Sequence, residues 1–441
     1  MSQEMIAVFM FSTMMLMLLT GQRVFGAIGG VAALAALALW GVGGSDIPFS
    51  AVMKLMKWYP LLTLPMFIFM GYILSESKIA DDLYKMFHVW MGPVSGGLAI
   101  GTIGLMVLIS AMNGLSVAGM AIGATIALPE LLKRNYDKIM VTGVIQAGSS
   151  LGILVPPSVV LVLYAMIARQ PVGQLWLAGV FPGLMMAAMF IIYIYIRCKL
   201  NPALGPALTE EERDDITLRE KLVLLRAGLL PLIIFFAMMY PFVRGWTSLT
   251  ESSAIGAMTA FTAAVLKGRM TREVFENSVR NTLAISCMFM WIIVAAMGFG
   301  AVFDGLGAVN AIDSLFTEKL QLNPWMILIL MQLSFLVMGT FLDDTAMLVI
   351  VAPLYIPLVD HLGFDLIWYG VLYTITTQIA YMTPPFGYNL FLMRAMAPPE
   401  ITLRDIYVSI IPFVLVMVVA LTTIMIFPEI ALWLPNYVYG K

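Results

Sequence analysis

Histidine, cysteine and charged residues are scarce in this 441-residue chain. It contains two histidines, His88 and His361, and two cysteines, Cys198 and Cys287, and only 11% of its residues are charged. The cysteines lie far apart and outside any CxxC spacing, so they predict neither a disulfide framework nor a metal site. The sequence has no HExxH or P-loop motif, which argues against a metalloenzyme and against ATP-driven pumping by this chain alone. Basic residues never form a stripe with aromatic residues, so no nucleic-acid binding is expected.

Apolar residues make up 61% of the chain, and its mean hydropathy is +0.95. A soluble domain has about a quarter of its residues charged, so this composition indicates a polytopic membrane protein in a lipid bilayer. At about 20 residues per crossing, the length allows roughly a dozen crossings and several half-length pieces. Plain spanning helices are predicted at residues 5–20, 24–42, 60–76, 175–196, 222–243, 248–266, 282–300 and 407–430.

Much the same proline-interrupted apolar segment occurs twice, 228 residues apart (position 156 against 384). The first copy reads GSSLGILVPPSVVLVLY and the second reads TTQIAYMTPPFGYNLFL. With the same offset, Asp137 aligns with Asp365. Interrupted apolar segments at corresponding places in two halves are the best sequence indication of a secondary transporter's binding site.

The charge of two matching loops predicts that the copies are inverted. LKRNYDK (132–138) carries three Lys or Arg, whereas its counterpart VDHLGFDL (359–366) carries none. Because cytoplasmic loops are enriched in Lys and Arg, the first loop is expected inside and the second outside. Both termini are then periplasmic, although Lys54 and Lys57 fall outside and disagree with the charge rule.

Each half also contains a segment with the pattern of a re-entrant helical hairpin. The first covers about 96–131 and turns at 113–116; the second covers about 323–359 and turns at 339–344. Unpaired backbone groups facing lipid cost several kcal/mol each, so such polar tips must line a cavity within the protein. The double prolines free backbone carbonyls upstream, and these are natural ligands for a hard cation. One tip and one helix break per half predict two quasi-equivalent sites near the membrane midplane.

Four aspartates are candidates for cation binding or for helix capping. Asp343 and Asp344 are the only adjacent acids in a predicted tip, and a charge at membrane depth is a functional hypothesis by default. Either could lie near a cation, or at least one could cap a helix at a solvated tip. Asp137 and Asp365, which enter the helix after each hairpin, are expected to be N-caps.

The predicted organisation has six segments. They are residues 1–92 (scaffold helices and arm), 93–196 (first transport repeat), 197–221 (cytoplasmic linker), 222–320 (scaffold helices and second arm), 321–430 (second transport repeat) and 431–441 (tail).

Five motifs resemble the large membrane subunit of tripartite ATP-independent periplasmic (TRAP) transporters, the DctM-like family. They are LSVAGMAIGATIALPELLKRNYDK (115–138), GILVPPSVVLVLY (152–164), LWLAGVFPGL (175–184), GTFLDDTAMLVIVAPLYIP (339–357) and MTPPFGYNLF (382–391). The resemblance implies an all-α polytopic membrane protein with the elevator-type ion-transporter fold: an inverted repeat with two re-entrant hairpins and two broken helices. It also implies a sodium-driven importer of organic acids in the bacterial inner membrane. Two partners are implied, a small four-helix membrane subunit (Q type) and a soluble periplasmic solute-binding protein (P type).

The family's sites can be carried onto this sequence. The implied Na⁺ ligands are Asn113, Gly114, Ser116, Ser149, Ser150 and Gly152 in the first half, and Gly339, Thr340, Asp343, Thr383, Pro384 and Pro385 in the second. A carboxylate solute is expected at Asn113, Ser116, Pro156, Pro157, Asp344, Thr345, Gly387 and Asn389. The chain departs from the family at the first tip, where Leu115 replaces a small polar residue and Asn113 offers a carbonyl in compensation.

Two alternatives stay open from the sequence. A stand-alone sodium:anion symporter of the same broad architecture would need no binding protein. The second alternative, from another functional class, is a membrane scaffold without transport activity.

Overall fold

The computed structural model describes residues 2–114, 116–207, 218–314, 322–339, 344–384 and 387–440. Within these ranges all regular structure is helical. The α-helices are α1 (Gln3–Leu19), α2 (Val24–Ala35), α3 (Asp46–Met56), α4 (Thr63–Glu76), α5 (Ile79–Met91), α6 (Gly97–Asn113), α7 (Ser116–Ile122), α8 (Leu128–Lys133), α9 (Lys138–Ser150), α10 (Val159–Ala168), α11 (Val172–Leu200), α12 (Leu218–Val243), α13 (Leu249–Leu266), α14 (Arg272–Gly305), α15 (Ala308–Ser314), α16 (Pro324–Met338), α17 (Asp344–His361), α18 (Leu366–Tyr381), α19 (Tyr388–Met396), α20 (Leu403–Ile426) and α21 (Glu429–Tyr439). Short π-helical turns (Ala36–Trp40, Gly123–Ala127) and 3₁₀ turns (Tyr59–Leu62, Leu151–Ile153, Pro202–Leu204) join some of them.

Five helices in the described ranges are long and apolar enough to cross a membrane. They are Val172–Leu200, Lys221–Val243, Leu249–Leu266, Arg272–Gly305 and Leu403–Ile426, and they match five of the predicted crossings. The three predicted N-terminal crossings are also helical: α1 covers Gln3–Leu19, α2 and the π turn after it cover 24–40, and a 3₁₀ turn and α4 cover 59–76. At the end of the π turn after α2, Gly41 adopts φ +81°, which stops the helix early.

The linker predicted at 197–221 begins later than expected, because α11 continues to Leu200. A 3₁₀ turn follows, and residues 208–217 lie outside the described residues. The apolar run IIYIYI simply carries helical structure past the basic residues that mark the membrane boundary.

The first predicted hairpin is formed by helices that run in opposite directions, so that the first and last residues of the segment lie close together. α6 runs to Asn113, and the chain returns through α7 and α8. Leu98 N, at the start of α6, donates a hydrogen bond to Tyr136 Oη, just after α8, at 3.3 Å. The segment therefore enters and leaves at the same end of the molecule, with its turn at the far end.

The second hairpin is built in the same way from α16 and α17. The ring of Trp325, at the start of α16, lies 5.4 Å from that of Phe364, which follows α17. Between the arms, Ser334 Oγ and Tyr355 Oη are hydrogen-bonded at 2.8 Å. The turn itself, residues 340–343, lies outside the described residues.

The two broken helices run antiparallel, and this relationship shows the inversion of the repeats. Lys138 Nζ, at the start of α9, lies 2.7 Å from Asp405 Oδ2, which follows the second broken helix. Tyr164 Oη, near the end of α10, donates to Leu366 O, at the start of α18, at 2.7 Å. The start of each broken helix thus lies near the end of the other, as the loop charges predict.

Asp137 and Asp365 are N-caps, as predicted from the sequence. Asp137 Oδ1 accepts from Met140 N at 2.9 Å. Asp365 Oδ1 accepts from Ile367 N and Trp368 N at 2.8 and 2.9 Å. Each carboxylate satisfies amide groups that the first helical turn leaves without partners.

The helices that lead into the breaks form the centre of the protein. Every residue from 140 to 150 in α9 and from 367 to 381 in α18 is buried. Helices with apolar or small residues on all sides are buried on all sides. The first break is enclosed by protein, since residues 151–158 are all buried, and freed backbone groups are tolerated there. In the second break Pro384 is exposed.

Candidate cation and solute site

The first break lies between Ser150, the last residue of α9, and Val159, the first of α10. Ser158 closes it: its Oγ accepts from Leu161 N at 3.1 Å and donates to Ile153 O. Sequence analysis did not single out Ser158, although a serine directly before an apolar helical run is typical of an N-cap.

The tip of the first hairpin lies against this break. Gly114 O accepts from Val159 N at 3.2 Å. Gly114 has φ +63°, and a Cβ there would lie 2.2 Å from Pro157 O. Only glycine allows both this left-handed backbone and this close approach. The tip between Asn113 and Ser116 and the break are thus brought together, as the sequence predicts.

The second break separates Tyr381, at the end of α18, from Tyr388, at the start of α19. Thr383 Oγ1 donates back to Ile379 O at 2.6 Å. A Cβ on Gly387 would lie 2.5 Å from Tyr381 O, so the chain doubles back closely on the helix end. Both predicted helix breaks are therefore present.

The second hairpin rests on the end of α18. A Cβ on Gly339 would lie only 2.3 Å from the Cβ of Ala380, so the backbone of the hairpin touches the helix directly. Thr340 and Asp343 lie outside the described residues, and α17 begins at Asp344.

Two hydrogen-bonded contacts join the repeats across the centre. The Asn389 amide and Ser116 Oγ lie 3.3–3.4 Å apart, and both residues are buried. Gln378 Nε2 donates to Ser150 O at 2.8 Å, and Tyr381 Oη donates to the same oxygen at 3.4 Å. These contacts join the first hairpin, at Ser116, and the end of α9, at Ser150, to the second broken helix in one polar assembly.

Serine hydroxyls at the end of α9 are oriented by their own helix. Ser149 Oγ donates to Gln146 O at 2.9 Å, and Ser150 Oγ donates to Ala147 O at 2.7 Å. A hydroxyl that donates in this way keeps its lone pairs for a cation. Gly152 is buried in the 3₁₀ turn that follows.

The buried polar side chains in the described residues are all neutral: hydroxyls and amides of Ser, Thr, Asn and Gln. The described residues also contain no group of three or more His, Cys, Asp or Glu that could hold a metal. Oxygen-only neutral groups suit a hard cation and not a transition metal. At each break, the preceding helix directs its negative C-terminal end inward, and the following helix its positive N-terminal end.

The structure describes more of the predicted site residues in the first half than in the second. It brings together those of the first half, namely Asn113, Gly114, Ser116, Ser149, Ser150, Gly152, Pro156 and Pro157. In the second half it places Gly339, Thr383, Pro384, Gly387 and Asn389 around one break, whereas Thr340, Asp343 and Pro385 lie outside the described residues. Asp344 and Thr345 begin α17. Their roles as ligands stay predictions.

Comparisons with known proteins agree with this architecture. The solved structure of the Alcanivorax borkumensis YdaH transporter has a similar fold, with a TM-score of 0.62 over 90% of each chain at 15% sequence identity. The C4-dicarboxylate TRAP transporter large permease protein DctM of Pseudomonas aeruginosa is 31% identical over 384 residues, covering 86% of this chain and 87% of that protein. The ectoine TRAP transporter large permease protein TeaC of Halomonas elongata is 26% identical over 402 residues, covering 90% and 91%.

A family profile settles the relationship. Residues 11–430 match the family described as "Tripartite ATP-independent periplasmic transporter, DctM component". The relatives are transporter permease subunits and not enzymes, and the expected location in the bacterial inner membrane is confirmed. The chain belongs to the DctM family and is the large membrane subunit of a TRAP transporter.

Proposed function

We propose that this subunit imports an organic carboxylate together with Na⁺, by an elevator movement, after a periplasmic binding protein has delivered the solute. The observation that carries the proposal is the contact of the first hairpin tip with the first helix break, where Gly114 O meets Val159 N. A polar assembly of this kind in the protein centre has a natural use as a site for an ion and its co-transported solute.

Sodium is the cation that the chemistry favours. The end of α9 offers backbone carbonyls and the hydroxyls of Ser149 and Ser150, all neutral oxygens. A monovalent hard cation needs no buried carboxylate to balance a second charge, whereas divalent sites usually recruit Asp or Glu. The negative end of the α9 helix dipole adds to the attraction.

A carboxylate solute suits the other side of each break. The N-terminal ends of α10 and α19 carry the positive ends of their helix dipoles, which attract anions. Ser116 and Asn389 supply a hydroxyl and an amide at the same place. One relative is named for C4-dicarboxylates, so these are the solutes to test first.

Two partners complete the transporter. The family is tripartite, which supports a Q-type membrane subunit and a P-type binding protein for this chain. Reconstitution of the full complex in proteoliposomes tests the proposal: [¹⁴C]succinate and a panel of other labelled carboxylates are offered under sodium, proton or no gradient. Uptake should require the sodium gradient. Uptake driven by protons alone would refute the coupling, and sodium-driven uptake without the binding protein would favour the stand-alone symporter.

The elevator movement can be tested at a boundary between the predicted scaffold and transport segments. Phe67 of α4 and Trp176 of α11 pack edge to face with ring centroids 5.4 Å apart. In a chain whose native cysteines are replaced by alanine, Phe67→Cys with Trp176→Cys, bridged by Hg²⁺, should stop uptake reversibly. Bridging Phe190→Cys with Phe413→Cys, a pair 5.6 Å apart within the predicted transport segments, should not. Full uptake with the first pair bridged would exclude a sliding movement at this boundary.

A further inference from the structure

Gln378 and Ser150 occupy equivalent positions of the two repeats and contact each other. They are separated by the same 228 positions as the double prolines (150 against 378). Gln378 Nε2 donates to Ser150 O at 2.8 Å, and both residues are fully buried. Two equivalent residues of an inverted repeat can touch only where the pseudo-twofold axis passes between them. The contact therefore lies between the two helix breaks.

The bond is one-sided, which distinguishes it from ordinary repeat packing. Ser150 is too short to reciprocate, and its hydroxyl donates to Ala147 O in its own helix. Ser150 O accepts hydrogen bonds from the Gln378 amide and, at a longer distance, from the Tyr381 hydroxyl, and both donors belong to the second repeat. Leu154 N, which would bond this oxygen if the α-helix continued, donates to Leu151 O instead. Gln378 Oε1 has no hydrogen-bond partner among the described residues.

Each of the two helix ends joined by this bond is in contact with one of the hairpins. Gly119, in the returning arm of the first hairpin, approaches Ser149 so closely that a Cβ would lie 3.3 Å from Ser149 Cα. Gly339 of the second hairpin approaches Ala380, two residues after Gln378, still more closely, since a Cβ there would lie 2.3 Å from Ala380 Cβ. A continuous series of direct contacts thus joins one hairpin to the other through the Gln378–Ser150 bond.

We propose that Gln378 is a positioning residue that couples the two cation sites: Na⁺ at one break orders the end of its helix, and the Gln378–Ser150 bond transmits that order to the other break. The proposal rests on the sodium coupling proposed above. Coupling of this kind requires an element whose state both sites influence, and the bonded pair of helix ends supplies it. Its consequence is cooperative sodium binding.

The test uses Na⁺ alone as the probe, so no solute need be known. Thermal unfolding of the purified full-length chain is measured across a NaCl titration, with KCl holding the ionic strength constant. The wild-type chain should be stabilised by Na⁺ with a Hill coefficient of roughly 2, the limit for two fully coupled sites. Gln378→Met keeps the side-chain length and removes the donor. It should raise the half-saturating sodium concentration about fivefold or more and lower the Hill coefficient to roughly 1.

Gln146→Met is the matched control. Gln146 is also fully buried, its Oε1 also has no partner among the described residues, and its Nε2 bonds to Thr142 O and Ser409 Oγ and not to the other broken helix. It should change the unfolding temperature without changing the Hill coefficient. Tyr381→Phe removes the weaker donor to Ser150 O and should lower the Hill coefficient less than Gln378→Met. This variant decides the question if Gln378→Met does not fold.

The outcomes separate this inference from the function it rests on. A wild-type chain that Na⁺ does not stabilise contradicts the proposed sodium coupling itself. A wild-type Hill coefficient of roughly 1, or a cooperative titration that Gln378→Met and Tyr381→Phe leave unchanged, overturns only the role of Gln378. A loss of cooperativity in the Gln378 variant but not in the Gln146 variant supports it.

Discussion

Gly114 O accepts a hydrogen bond from Val159 N at 3.2 Å, so the turn of the first hairpin is bonded to the first residue of the helix after the break. A turn and a helix start that are more than 40 positions apart in sequence satisfy each other's backbone groups. Neither group would find a partner in lipid, where an unpaired amide or carbonyl costs several kcal/mol. The hairpin and the broken helix therefore require each other for stability.

Gly114→Ala should abolish uptake. A left-handed alanine costs roughly 1–2 kcal/mol, and the added Cβ would also lie within 2.2 Å of Pro157 O, which forces the tip away from the break. Gly268→Ala is the matched control, because Gly268 has a similar φ of +66° but, apart from its chain neighbours, no atom of the described residues within 4 Å of the added Cβ. Uptake per folded protein should fall at least about tenfold for the first variant and stay near wild type for the second, since only the first adds a clash to the backbone strain. Similar losses in both would show that strain alone matters.

Much of this fold is visible in the sequence, for identifiable reasons. The double prolines cannot continue a helix, so they mark both breaks. The difference in Lys and Arg between 132–138 and 359–366 predicts the inversion that the Lys138–Asp405 contact shows. The sequence suffices here because each signal is carried by a short run of residues, either alone or compared with its counterpart in the other half.

The contacts between the repeats were not predictable. Ser116 and Asn389 are 273 positions apart, and Gln378 and Ser150 are 228 apart. The repeat offset shows that Gln378 and Ser150 are equivalent, but it cannot show that an axis brings them within 2.8 Å. The composition also does not show where the helical segment that begins with α2 ends, since an apolar run does not reveal that Gly41 adopts the left-handed conformation that stops it.

Asp82→Asn should destabilise the protein through the loss of two ion pairs. The Asp82 carboxylate lies 2.9 Å from Lys267 Nζ and 3.0 Å from Arg269 Nη2. Burial acts to raise the pKa of Asp82, but the hydrogen bonds from Arg269 and Lys267 outweigh it and hold that pKa below its usual value of 3.8. Because these side chains are partly exposed, the loss should be about 1 kcal/mol in thermal unfolding at pH 7.

The pH dependence follows from the direction of this shift. A lowered pKa in the folded state stabilises the protein fully above the usual pKa, and this contribution is lost as the pH falls through the folded-state pKa. The wild-type and Asp82→Asn chains should therefore differ by a constant amount from about pH 8 to pH 5 and converge in stronger acid. Asp81→Asn is the control, since Asp81 makes no ion pair within the part of the chain that the structure describes. A difference that grows as the pH falls would contradict this role for Asp82.

Asp343→Asn should weaken sodium dependence far more than Asp365→Asn. Asp343 belongs to the predicted second tip, where a carboxylate would attract Na⁺ at membrane depth. Asp365 caps α18 through Ile367 N and Trp368 N, and asparagine caps helices about as well. Half-maximal sodium for uptake should rise about tenfold or more in the first variant and stay within about twofold in the second. Equal effects would show that the tip is elsewhere.

The bond between Ser116 and Asn389 should govern solute affinity as a unit. Both residues are buried and lie 3.3 Å apart, one at the first hairpin tip and the other just after the second break. A neutral hydrogen bond contributes about 0.5–1.5 kcal/mol, so each alanine variant should raise the KM for the transported solute severalfold. Because contacting residues act together, Ser116→Ala combined with Asn389→Ala should raise the KM less than the product of the single effects. Thr125→Ala is the control, because that exposed hydroxyl donates to Ala121 O of its own hairpin arm. Strictly multiplicative effects would mean that the two side chains contact the solute independently, so that the pairing across the repeats has no part in binding.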